Sequence, residues 1–132
     1  MQNSPQSDLQ QMIADYMENG FLDNIIDMFR HDVLLYDLIG RLIQDERVRV
    51  RVGITALMEE LKRLDPANII RAQKNLLPLL AHTDAVVRGD AANLIGIIGD
   101  MGSLPFLEQC LLDDHEGVRI VAQEAITQLH PQ

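Results

Sequence analysis

A chain of 132 residues, 47% apolar but only 4% aromatic and without tryptophan, has material for one domain close-packed from Leu, Ile, Val and Ala. The net charge of −9, from 20 acids against 11 bases, repels polyanions overall, and a single cysteine excludes both an internal disulfide and a thiol-only metal site. No apolar run approaches the roughly 20 residues that span a bilayer. The polar start Met1–Asp8 lacks the basic and apolar regions of a signal peptide, so no membrane association and a cytoplasmic setting are expected.

Ser7 followed by Gln10 reads as a capping box opening a first helix that carries Leu9, Met12, Ile13, Tyr16 and Met17. Asn19-Gly20 ends it, because glycine enters the left-handed region at low cost. A short amphipathic piece follows (Phe21, Leu22, Ile25, Ile26, Phe29), and Asp32 is placed to cap the next helix. Residues 7–30 are thus expected to form an acidic N-terminal cap. Beyond it the chain repeats itself. Val50-Arg51, Val87-Arg88 and Val118-Arg119 each open a stretch with apolar residues three, six, seven and ten places after the arginine. These are Ile54, Leu57, Met58 and Leu61, then Ala91, Leu94, Ile95 and Ile98, then Ala122, Ala125, Ile126 and Leu129. Such offsets mark one helix face, used three times.

Ahead of each arginine, a first helix repeats too, with Ile39, Leu42 and Ile43, then Leu76, Leu79 and Leu80, then Leu107, Cys110 and Leu111 at matching offsets. Arg88 follows Arg51 by 37 residues and Arg119 follows Arg88 by 31, so the middle unit has a longer first helix or loop. Pro66 and Pro105 fall near the starts of first helices, where a missing N–H costs nothing. Self-similarity on this scale signals an all-α solenoid, each unit burying its apolar face against its neighbours. The expected units are 33–64, 66–99 and 103–130, within one domain of 1–132.

The stretch "LLAHTDAVVRGDAANLIGIIGDMGSLPFLEQCLLDDHEGVRIVAQEAITQL" resembles HEAT repeats, particularly the short bacterial and archaeal kind also found in bilin-lyase-type proteins. That resemblance implies antiparallel helix pairs stacked in a right-handed superhelix, with second helices lining a concave binding face. It implies no single activity, because HEAT arrays serve as scaffolds, adaptors and occasionally enzymes.

Arg51, Arg88 and Arg119 lie near helix starts, where the dipole disfavours a cation, so each needs a fixed anionic partner. Asp84 and Asp114, with Asp45 and Asp113, lie in the turns just before, and a structural arginine–aspartate ladder along the stack is expected, as in the family. The same turns collect Glu46, His82, His115 and Glu116, residue types that bind metals. No histidine pair has helix-face spacing, and the aspartates serve as N-caps, so neither metal nor cofactor is assigned. His115-Glu116 differs from the His-Glu pairs of HEAT-like iron hydroxylases: it precedes the Val-Arg step instead of following it, and it stands alone. Gly96, Gly99 and Gly102 follow a helix and not a strand, which fits helix termination, with Ser103 capping the next helix. Cys110 falls on an apolar face as a small core residue. No catalytic set emerges.

What remains is an interaction surface. Opposite the core stripe the second helices present Val52, Glu59, Asp90, Asn93, Ile97, Ile120, Val121 and Glu124, a mixture of small, apolar and acidic groups suited to a helix or extended peptide. A non-catalytic protein-binding module is therefore expected, its partner unidentified. Ile120 and Val121 also suggest a homodimer through the C-terminal repeat. The competing reading is nucleic-acid binding through a basic band over 41–74 (Arg41, Arg47, Arg49, Arg51, Lys62, Arg63, Arg71 and Lys74). Residues 38–74 carry a charge of +3 between segments of −6 each, a poor track for phosphates. A lyase or chaperone-type accessory subunit is a third reading, with no residue pointing to a chromophore.

Overall fold

The computed structural model describes residues 5–129, whose regular elements are all helical, with no strand among them. α1 (Pro5–Glu18) already includes Pro5, so Ser7 lies inside its first turn and not at its cap. Proline is favoured there because its missing N–H would be unpaired in any case. Gly20, at φ +83°, closes the helix with paired bonds: Gly20 N–H to the Met17 carbonyl (3.1 Å) and Phe21 N–H to the Tyr16 carbonyl (2.9 Å). Tyr16 and Phe21 meet edge-on at 5.7 Å, the apolar contact that accompanies this kind of ending.

α2 (Leu22–His31) buries Ile25 and Phe29. Asp32 then accepts a bond from Leu34 N–H (3.1 Å), capping not an α-helix but a 3-10 segment, Val33–Leu38, which runs into the short α3 (Ile39–Leu42). α4 (Val48–Leu64) is the longest helix. The first half of the middle unit is broken into 3-10 turns, Ile69–Ala72 and Leu77–Ala81, around α5 (Gln73–Leu76). Pro78 accounts for the second of these: in a continuous helix its ring would clash with the preceding turn and its nitrogen could not donate. α6 (Ala85–Ile98) ends at Gly99, at φ +76°; α7 (Leu104–Cys110) has proline in its first turn; α8 (Glu116–Leu129) closes the described chain.

The repeated apolar stripe is the core. Ile54, Leu57, Met58 and Leu61 of α4, Ala91, Leu94, Ile95 and Ile98 of α6, and Ala122, Ala125 and Leu129 of α8 are all buried. Full burial of one such Leu or Ile side chain contributes roughly 1.5–3 kcal/mol. α1 packs on α4, α4 on α6 and α6 on α8, with the last contact much the most extensive. Two glycines set how close these helices come. A Cβ on Gly96 would stand 2.8 Å from the Ala125 Cα, so only glycine lets α8 lie against α6 there. Gly53 makes the equivalent room in α4 for the Met17 side chain of α1. The N-terminal elements are tied to the far end of α4 by Tyr36, whose hydroxyl donates to Asp65 (2.9 Å) and whose ring stands edge-on to Phe29 at 5.3 Å. Burial, then the Asp65 bond, pushes the Tyr36 hydroxyl well above the ordinary tyrosine range.

Candidate functional site

The turns that precede α4, α6 and α8 share one hydrogen-bond scheme. Nη1 of Arg51, Arg88 and Arg119 donates to the carbonyl six residues earlier: Asp45 (3.0 Å), His82 (2.9 Å) and Asp113 (2.7 Å). Each arginine thereby closes its own turn, which offsets the unfavourable helix dipole with a local acceptor. The side chains of those same three residues also share a role. Asp45 accepts from Arg47 N–H, His82 Nδ1 from Asp84 N–H, and Asp113 from His115 N–H, all within 2.9–3.0 Å.

The outward side of each guanidinium differs. Arg88 reaches across to the turn before α8, with Nε 2.8 Å from Asp113 Oδ2, Nη2 3.0 Å from Asp113 Oδ1 and 3.3 Å from Asp114. That pairing holds the Asp113 carboxyl at about 2, below the usual aspartate range. Arg51 finds His82 at the corresponding turn position and instead lies 3.5 Å from Asp90 on α6. Asp90 therefore faces the arginine, and burial nevertheless raises its carboxyl above the ordinary value. Asp84 caps α6 through Val86 N–H (2.9 Å), and Asp45 pairs with Arg47, which also reaches Asp15 on α1. Arg119 makes its turn bond and no ion pair among the described residues.

The second-helix face carries the other residues singled out above. Val52 and Ile120 are 63% and 51% exposed, Glu59 and Glu124 are exposed, and Asn93 is half-buried. Ile97 and Val121 are half-buried against the core, a setting that sequence spacing could not separate from open surface. Val48 and Val86, 62% and 53% exposed, join the same face and were not among the expected residues. The alternation of Val48, Val50 and Val52 holds the signal: only Val50 is on the core stripe.

Around Val48, Val52 and Val86 the surface dips into a notch of about 140 Å³, lined also by Arg51, Thr55 and Asp90.

Elsewhere, the cations of residues 41–74 are largely committed within the chain. Arg47 pairs with Asp45 in the turn, Arg51 with Asp90 on α6 and Arg63 with Glu60 (2.7 Å), and Lys62 Nζ caps the end of α6 at the Ile98 carbonyl (2.7 Å). Arg41 and Lys74 line a separate polar cleft with Asp37. Ser103 stands at the N-cap of α7, as expected, but it is fully buried and its hydroxyl donates to the Asp100 carbonyl (2.7 Å) instead of accepting from the helix. The Cys110 thiol is buried, which raises it above the ordinary range. Among the described residues, no three His, Cys, Asp or Glu side chains are grouped as metal ligands, and no helix is long and apolar enough to cross a membrane.

Successive helices with one apolar stripe, one turn scheme and one exposed face define an all-helical repeat protein. The family model for HEAT repeats matches residues 35–127, and the chain belongs to that family. No curated protein matches the sequence.

Proposed function

We propose that this chain is a non-catalytic protein-interaction module, a short α-solenoid whose partner lies on the face formed by α4, α6 and α8. The helix pairs 33–64, 66–99 and 103–130 are its layers and 7–30 its acidic N-terminal cap. Family membership supports the interaction role, since HEAT repeats commonly act as scaffolds. The observation that carries the reading is Val48, Val52 and Val86, each more than half exposed and gathered around one notch, with Ile120 on the next second helix. Exposed apolar groups clustered on one face mark interaction surfaces. Asp90, Asn93, Glu59 and Glu124 supply the polar rim.

The test is affinity capture from the native organism, followed by binding of the identified partner to Val52→Lys and Ile120→Lys variants. Loss of at least tenfold in affinity with an unchanged helical spectrum supports the reading; full binding by both variants overturns it. A second copy of the chain meeting the C-terminal layer is the other reading, favoured by Leu112, 86% exposed, and Ile120. Sedimentation velocity of the wild type against Leu112→Lys separates the two.

A further inference from the structure

The positions +4 and +8 from the arginine lie one turn apart on one face of each second helix. On α6 they are Ala92 and Gly96, both buried, and a Cβ on Gly96 would stand 2.8 Å from Ala125 of α8. On α4 the same positions hold Thr55, half-buried, and Glu59, exposed. Larger groups where α6 has alanine and glycine leave α4 and α6 in less extensive contact than α6 and α8. The far end of this junction is drawn together by Lys62 on the Ile98 carbonyl, and its middle by Arg51 and Asp90. Between them the junction leaves the notch, where Val48, Val52 and Val86 stand beside Thr55 and the Arg51–Asp90 pair. Thr55 uses its hydroxyl on the Arg51 carbonyl (3.2 Å), so its methyl is the group left for the groove.

We infer that the α4–α6 junction is a built anchor pocket for one branched apolar side chain, leucine or isoleucine, flanked by a basic residue in the partner peptide. The inference rests on the protein-binding reading above and names its site and chemistry. Size supports it: about 140 Å³ takes one aliphatic side chain and no aromatic pair. Charge supports the basic flank. The Arg51 cation is already taken by Asp90 and by the Asp45 and Glu46 carbonyls. Two carboxylates border the groove, exposed Asp84 beside Val86 at one end and exposed Glu59 one turn beyond Thr55 at the other. Arg49, also exposed, adjoins Val48 and Val52 on α4 but, like those two carboxylates, does not line the notch itself, so acids outnumber cations at its border. A second copy is a poor occupant, because Leu112, its most exposed large apolar side chain, is followed directly by Asp113 and Asp114.

The test is methyl NMR of the full chain with labelled valines, titrated with three capped tripeptides: acetyl-Lys-Leu-Lys-amide, acetyl-Lys-Ala-Lys-amide and acetyl-Glu-Leu-Glu-amide. Saturable shifts at Val48, Val52 and Val86 are expected with Lys-Leu-Lys, at least fivefold weaker with the other two, and lost in Val52→Lys while its circular dichroism is unchanged. No shift at these valines, or equal binding of Glu-Leu-Glu, overturns the inference. Shifts confined to Val118 and Val121 of α8 overturn the groove while leaving the second-helix face standing as the partner surface.

Discussion

Arg88 on α6 and Asp113 in the turn before α8 meet in a two-pronged pair, 2.8 and 3.0 Å, with both side chains largely shielded. Asp113 also holds the N–H of His115 and, through its own carbonyl, Arg119. One aspartate thus fixes the last turn from three directions.

That geometry has a pH signature. The Asp113 carboxyl sits at about 2 in the folded chain, below its ordinary value of 3.8, chiefly through its bond to Arg88. A depressed carboxylate contributes stability that is complete above the unfolded value and lost as pH falls toward the folded one. The melting midpoint should therefore drop between about pH 4 and pH 2. Asp113→Asn should melt lower at pH 7 and lose less over that acid window. Equal acid sensitivity in the two proteins would show that the pair is not coupled to folding.

His82 occupies the turn position that Asp113 holds one unit later, and both accept the N–H two residues on. His82→Asp keeps that acceptor and offers Arg51 a carboxylate from the turn. A partly exposed pair of this kind contributes about 0.5 kcal/mol, so urea unfolding should show a gain of that order. A loss would mean that the α4–α6 junction is too open for the reach.

Gly96→Ala places a methyl 2.8 Å from the Ala125 backbone, and neither helix has a flexible end there to yield. Overpacking of this kind costs about 1–3 kcal/mol. Gly89→Ala, with nothing within 4 Å of the new carbon, is the control and should be neutral or slightly stabilising. Equal effects would mean that α6 and α8 are not held at this distance.

Leu94 is fully buried in the main core, so Leu94→Ala should cost about 2–5 kcal/mol on denaturant unfolding. A change below about 0.5 kcal/mol would place the stripe of α6 outside the core.

The helical repeat was legible because each Val-Arg step fixes the phase of a 3.6-residue pattern, and Ile54, Ala91 and Ala122 fall at one register. What the spacing could not carry was contact across units. Asp90 reads as a polar surface group until Arg51 is seen 3.5 Å away, and Asp84 reads as a rung until it is seen capping Val86. The break at Leu77–Ala81 was legible in Pro78, although Leu76, Leu79 and Leu80 keep helical spacing through the 3-10 turns. The groove was legible in principle: comparing Thr55 and Glu59 with Ala92 and Gly96 at matching offsets shows where neighbouring helices pack less closely.

The most direct measurement is methyl NMR of the chain saturated with its captured partner. Shifts at Val48, Val52, Val86 and Ile120, with Leu76 and Leu107 of the first helices unmoved, are the result expected if the partner lies on the second helices. Shifts confined to first-helix methyls, with those four unchanged, would contradict it.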